Sequence, residues 1–131
     1  MSTRKKSLLL ILLVSLIFVA GIIIKNHIEN RQLEEAILKK EGPRVEKYFK
    51  YNFKNIDKVT IESLDKNPMG GFIMDGYVND DPKWGFGALI GEQFEGDMVY
   101  SNKFEPKKKD ADGVRILKPI EDIEKEEKAN Q

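Results

Sequence analysis

Cysteine is absent from all 131 residues. That excludes disulfides, thiolate metal sites and a thiol nucleophile. It also excludes a lipidated cysteine. Val19, Ala20 and Gly21 form the aliphatic-small-small run that ends a bacterial lipoprotein signal, yet Ile22 stands where the acceptor thiol belongs. Histidine occurs once, at His27, with only Glu29, Glu34 and Glu35 near it in sequence. A metal centre needs more donors converging, so His27 reads as a solvated residue. No glycine-rich phosphate loop, zinc spacing or serine-histidine-acid set is present. Net charge is lacking too, with 22 basic against 22 acidic residues. Setting aside Arg4, Lys5 and Lys6 leaves 19 bases against 22 acids beyond residue 24, a net of −3. A near-neutral, slightly acidic chain has no electrostatic footprint for nucleic acid, and none is expected as a partner.

What the chain has instead is an apolar run. Residues 7–24 are 18 positions without a charge. As a helix they reach about 27 Å, close to the ~30 Å hydrocarbon core of a bilayer. A cleaved secretory signal is shorter in its apolar part and ends in small residues. Cleavage after Gly21 would leave Ile22, Ile23 and Ile24 as a new apolar terminus. The expectation is therefore an uncleaved signal anchor, with the bilayer as partner through residues 7–24. The basic leader, residues 1–6, is expected in the cytoplasm, and the rest of this single-pass cell-membrane protein outside.

Beyond the span, "KNHIENRQLEEAILKKE" is rich in helix formers and reads as a stalk helix over residues 25–43, closed by Gly42-Pro43. A small domain is expected over residues 44–104. "RVEKYFKYNFKN" spaces Val45, Tyr48, Phe49 and Phe53 along one helical face. The period then drops to two. Val59 and Ile61 alternate with polar neighbours, and Phe72, Met74 and Val78 share a side opposite Ile73, Asp75 and Tyr77. Trp84, Phe86, Ala88 and Ile90 share a side opposite Gly85 and Gly87, and "DMVYS" supplies a fourth strand. Short turns between consecutive strands predict an antiparallel meander. The fold class is α+β: a helix packed on a four-stranded antiparallel sheet, preceded by the transmembrane and stalk helices. Residues 105–131 are charged and balanced and are expected to be largely flexible, although "VRILKPI" offers an edge strand and "PIEDIEKEEKANQ" a helix start at Pro119.

Two sets of acids invite a chemical reading. "DADG" at 110–113 matches the start of a calcium loop and Glu121 falls at its twelfth position. Lys118-Pro119 interrupts the ligand positions, however, and Gly113 arrives two places early. Asp75 with Asp80 or Asp81 offers a carboxylate pair, but acids beside turns are commonly turn formers. No enzymatic activity, cofactor or metal is expected.

The stretch "NPMGGFIMDGYVNDD", with "YFKYNFKNIDKVTI" before it, resembles a family of small membrane-attached proteins of Gram-positive bacteria catalogued as domain of unknown function fourteen-thirty-three. The matching positions are Asn67, Pro68, Met69, Gly70, Gly71, Gly76, Tyr77, Val78 and Asn79. The resemblance covers roughly residues 44–100. It implies a short helix followed by this turn and strand. It also implies a non-catalytic role as an immunity protein that protects its producer from a type VII-secreted lipase toxin. Because family members carry a lipoprotein signal or a single span, Ile22 implies a protein anchor here rather than a lipid one.

Read for themselves, the residues leave two accounts open. "NPMGG" either only sets hairpin register or raises Met69 as a soft contact for a partner. Ile73 and Tyr77 form an exposed aliphatic-aromatic patch beside Gly85 and Gly87, unless the C-terminal tail folds over that face. Met69, Ile73 and Tyr77 are thus the candidate partner-binding residues of an extracytoplasmic protein-binding module. A structural or envelope-accessory role, with contacts in the span and stalk, is the alternative.

Overall fold

The computed structural model describes residues 2–131. In chain order its elements are α1 (Thr3–Asn52), β1 (Val59–Lys66), β2 (Phe72–Val78), β3 (Asp81–Ile90), β4 (Phe94–Tyr100) and α2 (Ile120–Ala129). The chain divides into two compact units, Met1–Ala36 and Ile37–Gln131.

In the first unit the helix is apolar on every side between Leu8 and Ile24. Its large side chains between Leu8 and Ile24 are all exposed, as expected of a segment whose surroundings are lipid rather than protein. Among the described residues α1 is the one helix long and apolar enough to cross a membrane.

The second unit is an α+β domain. Its four strands form one antiparallel sheet in the order β1-β2-β3-β4. The alternation seen in the sequence holds. Met74, Gly76 and Val78 of β2 and Phe86, Ala88 and Ile90 of β3 are buried on one side. Val45, Tyr48 and Phe49 from the end of α1, with Phe53 just after it, close over that side. Phe49 lies at the centre, its ring centroid 4.6 Å from Phe86 and 5.0 Å from Phe104. Burying one such ring contributes roughly 1.5–3 kcal/mol, so this aromatic cluster is a principal source of cohesion for a domain of this size.

Two expectations are corrected. Gly42-Pro43 does not end a stalk helix, because α1 runs through it to Asn52. Proline removes one intrahelical hydrogen bond and strains the preceding turn at a cost of ~3 kcal/mol. Burial outweighs that here: Glu41, Gly42, Val45 and Phe49 are all buried, and Gly42 lies against Ile61. The compact unit accordingly starts at Ile37 rather than at residue 44.

The tail is the second correction. Residues 105–131 carry α2, and Ile120 and Ile123 are buried in the same core as Phe49. One turn apart on a helix, these two isoleucines make an apolar stripe that the surrounding charges conceal. Phe104 is buried as well, and Phe53 pairs with Pro106. The tail thus adds to the covered side of the sheet.

Candidate functional site

Most of the sequence motif proves to be architecture. In the β1–β2 turn Gly70 N–H donates to Asn67 O (2.9 Å), and Met69 N–H donates to Asn67 Oδ1 (3.1 Å). The asparagine side chain thus holds its own turn closed. Gly71 has φ +74°, and a β-carbon there would lie 2.1 Å from Ile90 O. Gly76 meets Thr60 O at the same 2.1 Å and the Phe86 ring at 2.9 Å, so only a bare backbone fits between strand and ring.

Asn79 and Asp80, both at φ 56°, form the two-residue turn into β3, the geometry that matches the twist of a hairpin. The Asn79 side chain also works across the chain. Its Oδ1 accepts the N–H groups of Asp57 (2.8 Å) and Lys58 (3.2 Å), and its Nδ2 donates to Asn55 O. It locks the α1–β1 connection to the β2–β3 turn.

Met69 and Tyr77 stand outside this framework. Met69 is 94 % exposed at the tip of its turn. Tyr77 is half-buried on the side of the sheet away from the helices, and its hydroxyl makes no hydrogen bond among the described residues. Ile73 shares that side. Register places Tyr77 opposite Gly85, Asp75 opposite Gly87 and Ile73 opposite Leu89, with Val99 of β4 next to Gly87. Two glycines on β3 leave a trough between Ile73, Leu89 and Val99, a shallow groove of about 570 Å³ that Asp75 and Lys83 also line. Leu89 and Val99 are exposed at 37 % and 73 %. Among the described residues no helix covers this side: α1 and α2 both pack into the core on the opposite one. The structure therefore joins Ile73 and Tyr77 on one open face and leaves Met69 apart from them, on the turn. Leu89 and Val99 escaped the sequence reading; the signal for them was their alternation with Ala88, Ile90 and Met98.

Of the acids singled out for chemistry, Asp80, Asp81 and Asp110 are occupied by local structure. Asp75 sits mid-strand opposite Ser63 and Gly87, and its carboxylate lies over Gly87 and lines the groove. Asp80 pairs with Lys58 Nζ at 3.1 Å, and Asp81 Oδ1 accepts Lys83 N–H at 3.0 Å. Asp110 Oδ1 accepts the N–H groups of Asp112 (2.9 Å) and Val114 (2.8 Å), closing a tight turn.

The strongest polar cluster escaped the sequence reading altogether. Glu41 is 2 % exposed, and its Oε2 accepts Arg44 Nη1 at 2.8 Å and the backbone N–H of Phe94 at 3.1 Å. Glu41 Oε1 is buried without a hydrogen bond, 3.8 Å from Lys40 Nζ. Arg44 Nε reaches Glu124 of α2 at 2.6 Å. Burial lowers the basicity of that guanidinium, but its hydrogen bonds to Glu124 and Glu41 outweigh this and hold its pKa above the usual value. The trio ties α1, β4 and α2 together, which is a structural role.

A small domain with helices on one side of an antiparallel meander and the other side open is a scaffold that presents a surface. Residues 37–125 match the family described as "Protein of unknown function (DUF1433)", and the chain belongs to that family. No curated protein matches the chain. Among solved structures, the chain is similar to the solution structure of a folded 79-residue fragment of Lin0334 from Listeria innocua. The TM-score is 0.52 at 21 % identity, covering 70 % of this chain and 94 % of that one. At that identity the likeness concerns the fold.

Proposed function

We propose that the chain is a non-catalytic, membrane-anchored module that binds another protein through the open side of its sheet. The observation that supports this is the trough of Ile73, Leu89 and Val99, with Tyr77 beside it and Asp75 and Lys83 supplying charges, on a side that neither helix covers. A half-exposed aromatic and aliphatic surface around a glycine floor suits a protein surface more than a soluble metabolite. Met69, raised on its turn, adds a polarisable contact. In this reading α1 anchors the chain through its apolar segment. Arg4, Lys5 and Lys6 keep the N-terminus in the cytoplasm and the domain outside the cell membrane.

The family resemblance supplies a candidate partner class, a secreted lipase-type toxin, which makes the module an immunity protein. The test is co-expression with a secreted toxin encoded at a neighbouring locus. Protection and a stoichiometric complex are expected, and both should be lost in an Ile73→Asp, Tyr77→Ala double variant that still folds. Protection by that variant, or no complex with wild type, would reject the reading. Replacing residues 1–30 by an unrelated anchor should preserve protection; loss on that exchange would instead favour the envelope-accessory role.

A further inference from the structure

A second concave site lies away from the open face. Between the last turn of α1 and the segment after Pro106 is a cleft of about 420 Å³, within the range of small-ligand sites. Its walls are carbon: the Tyr51 ring, Ile116 (50 % exposed) and Leu117. Asn52 also lines it but has no donor left to offer. Its Nδ2 donates to Tyr48 O (3.1 Å) and Lys118 O (3.0 Å), and its Oδ1 accepts Lys118 N–H (2.7 Å). Whatever enters is met by a largely apolar interior with no free donor on Asn52.

The rim is different. Lys107, Lys108 and Lys118 also line the cleft and no acidic residue does, although the Glu126 carboxylate lies next to it, on Tyr51 Oη and Lys118. Lys118 is engaged by Glu126 and by Tyr51 Oη, and lies 5.3 Å over the Tyr51 ring. Lys107 Nζ donates to Lys50 O at 2.8 Å and has no acidic partner among the described residues. Lys108 has no side-chain partner among them at all. Two lysines without an acidic partner beside an apolar cleft complement one ligand class.

We propose that this cleft binds an amphiphilic anion. Its alkyl part lies against Tyr51, Ile116 and Leu117, and its carboxylate or phosphate meets Lys107 and Lys108. Such a molecule is either a free fatty-acid-like anion or the headgroup region of an anionic lipid; both present the same chemistry. The site is independent of the protein-binding surface proposed above.

The experiment uses the full chain in phosphatidylcholine nanodiscs, observed by amide NMR. Added octanoate should shift Lys107, Lys108, Ile116 and Leu117 saturably, whereas octanol should bind more weakly and octyltrimethylammonium not at all. Shifts produced only when the nanodisc contains phosphatidylglycerol would identify a bilayer lipid as the source, and shifts with dissolved octanoate a free anion. Lys108→Glu, with its remaining amide spectrum unchanged, should weaken binding by about tenfold or more, the scale of one charge-assisted hydrogen bond. The proposal fails if neither anion source shifts these amides. It also fails if octyltrimethylammonium acts like octanoate, or if folded Lys108→Glu binds as wild type does.

Discussion

The side chain of Asn52 holds the backbone of Lys118 from both directions. It accepts that residue's N–H at 2.7 Å and donates to its carbonyl at 3.0 Å, as a neighbouring β-strand would. Asn52 is buried, and its second amide proton goes to Tyr48 O. Net contributions of ~1 kcal/mol per bond give an expected loss of roughly 2–3 kcal/mol for Asn52→Ala. Urea denaturation measures it, and hydrogen exchange should show α2 losing protection before the strands do.

Arg44 should be harder to remove than to replace together with its partner. Arg44→Met leaves the buried Glu41 carboxylate with only the mostly exposed Lys40 ammonium 3.8 Å away, a loss expected to approach the ~3–5 kcal/mol of a broken buried pair. The double variant Glu41→Leu, Arg44→Met should recover most of that loss. A double-mutant cycle in guanidinium chloride reads the coupling directly.

Tyr48 gives a stability change at alkaline pH. Burial, with smaller contributions from Tyr100 and Asp97, pushes its phenol pKa up from 10.0. The unfolded chain therefore releases this proton at lower pH than the folded one. Stability from Tyr48 is fully present below pH ~10 and is lost as pH rises from there through the higher folded pKa. Tyr48→Phe should flatten that part of the stability–pH curve.

The two glycines of the β1–β2 turn should respond unequally. Both have positive φ, so alanine strains each by ~1–2 kcal/mol. Only at Gly71 does the added carbon also strike the backbone of Ile90. Gly71→Ala should lose clearly more thermal stability than Gly70→Ala, whose new methyl group meets nothing within 4 Å.

Met69 tests whether the turn does more than set register. At 94 % exposure, Met69→Ser should change stability by less than ~0.5 kcal/mol. A measurable fall in affinity for the protein partner, by calorimetry, is expected alongside that unchanged stability.

The sheet was legible because its alternation is strict and its turns are chemically marked. Phe72, Met74 and Val78 against Ile73, Asp75 and Tyr77 allow one register of burial, and "NPMGG" and "VNDD" leave the strands nowhere to continue. The end of α1 was legible for the same reason, through Val45, Tyr48, Phe49 and Phe53. What stayed hidden depends on partners distant in sequence. Pro43 reads locally as a break, and only the packing of Gly42 on Ile61 shows why the helix survives it. Ile120 and Ile123 are two apolar residues among eight acids and eight bases after residue 102, a composition that reads as solvated. The open face was half legible: Tyr77 and Ile73 announced themselves, but what left them uncovered was the tail packing on the opposite side.

Each strand of this sheet zips to its sequence neighbour, so the hairpins assemble through contacts close along the chain. The aromatic cluster they present stays wet until two flanks arrive from either side. These meet where Asn52 grips Lys118, across 66 positions. Closing so long a span is an entropic toll that hairpin formation does not meet. The expected order of assembly is meander first and flanks last. Substitutions at the turns should slow folding, whereas those at Ile120 or Ile123 should chiefly hasten unfolding.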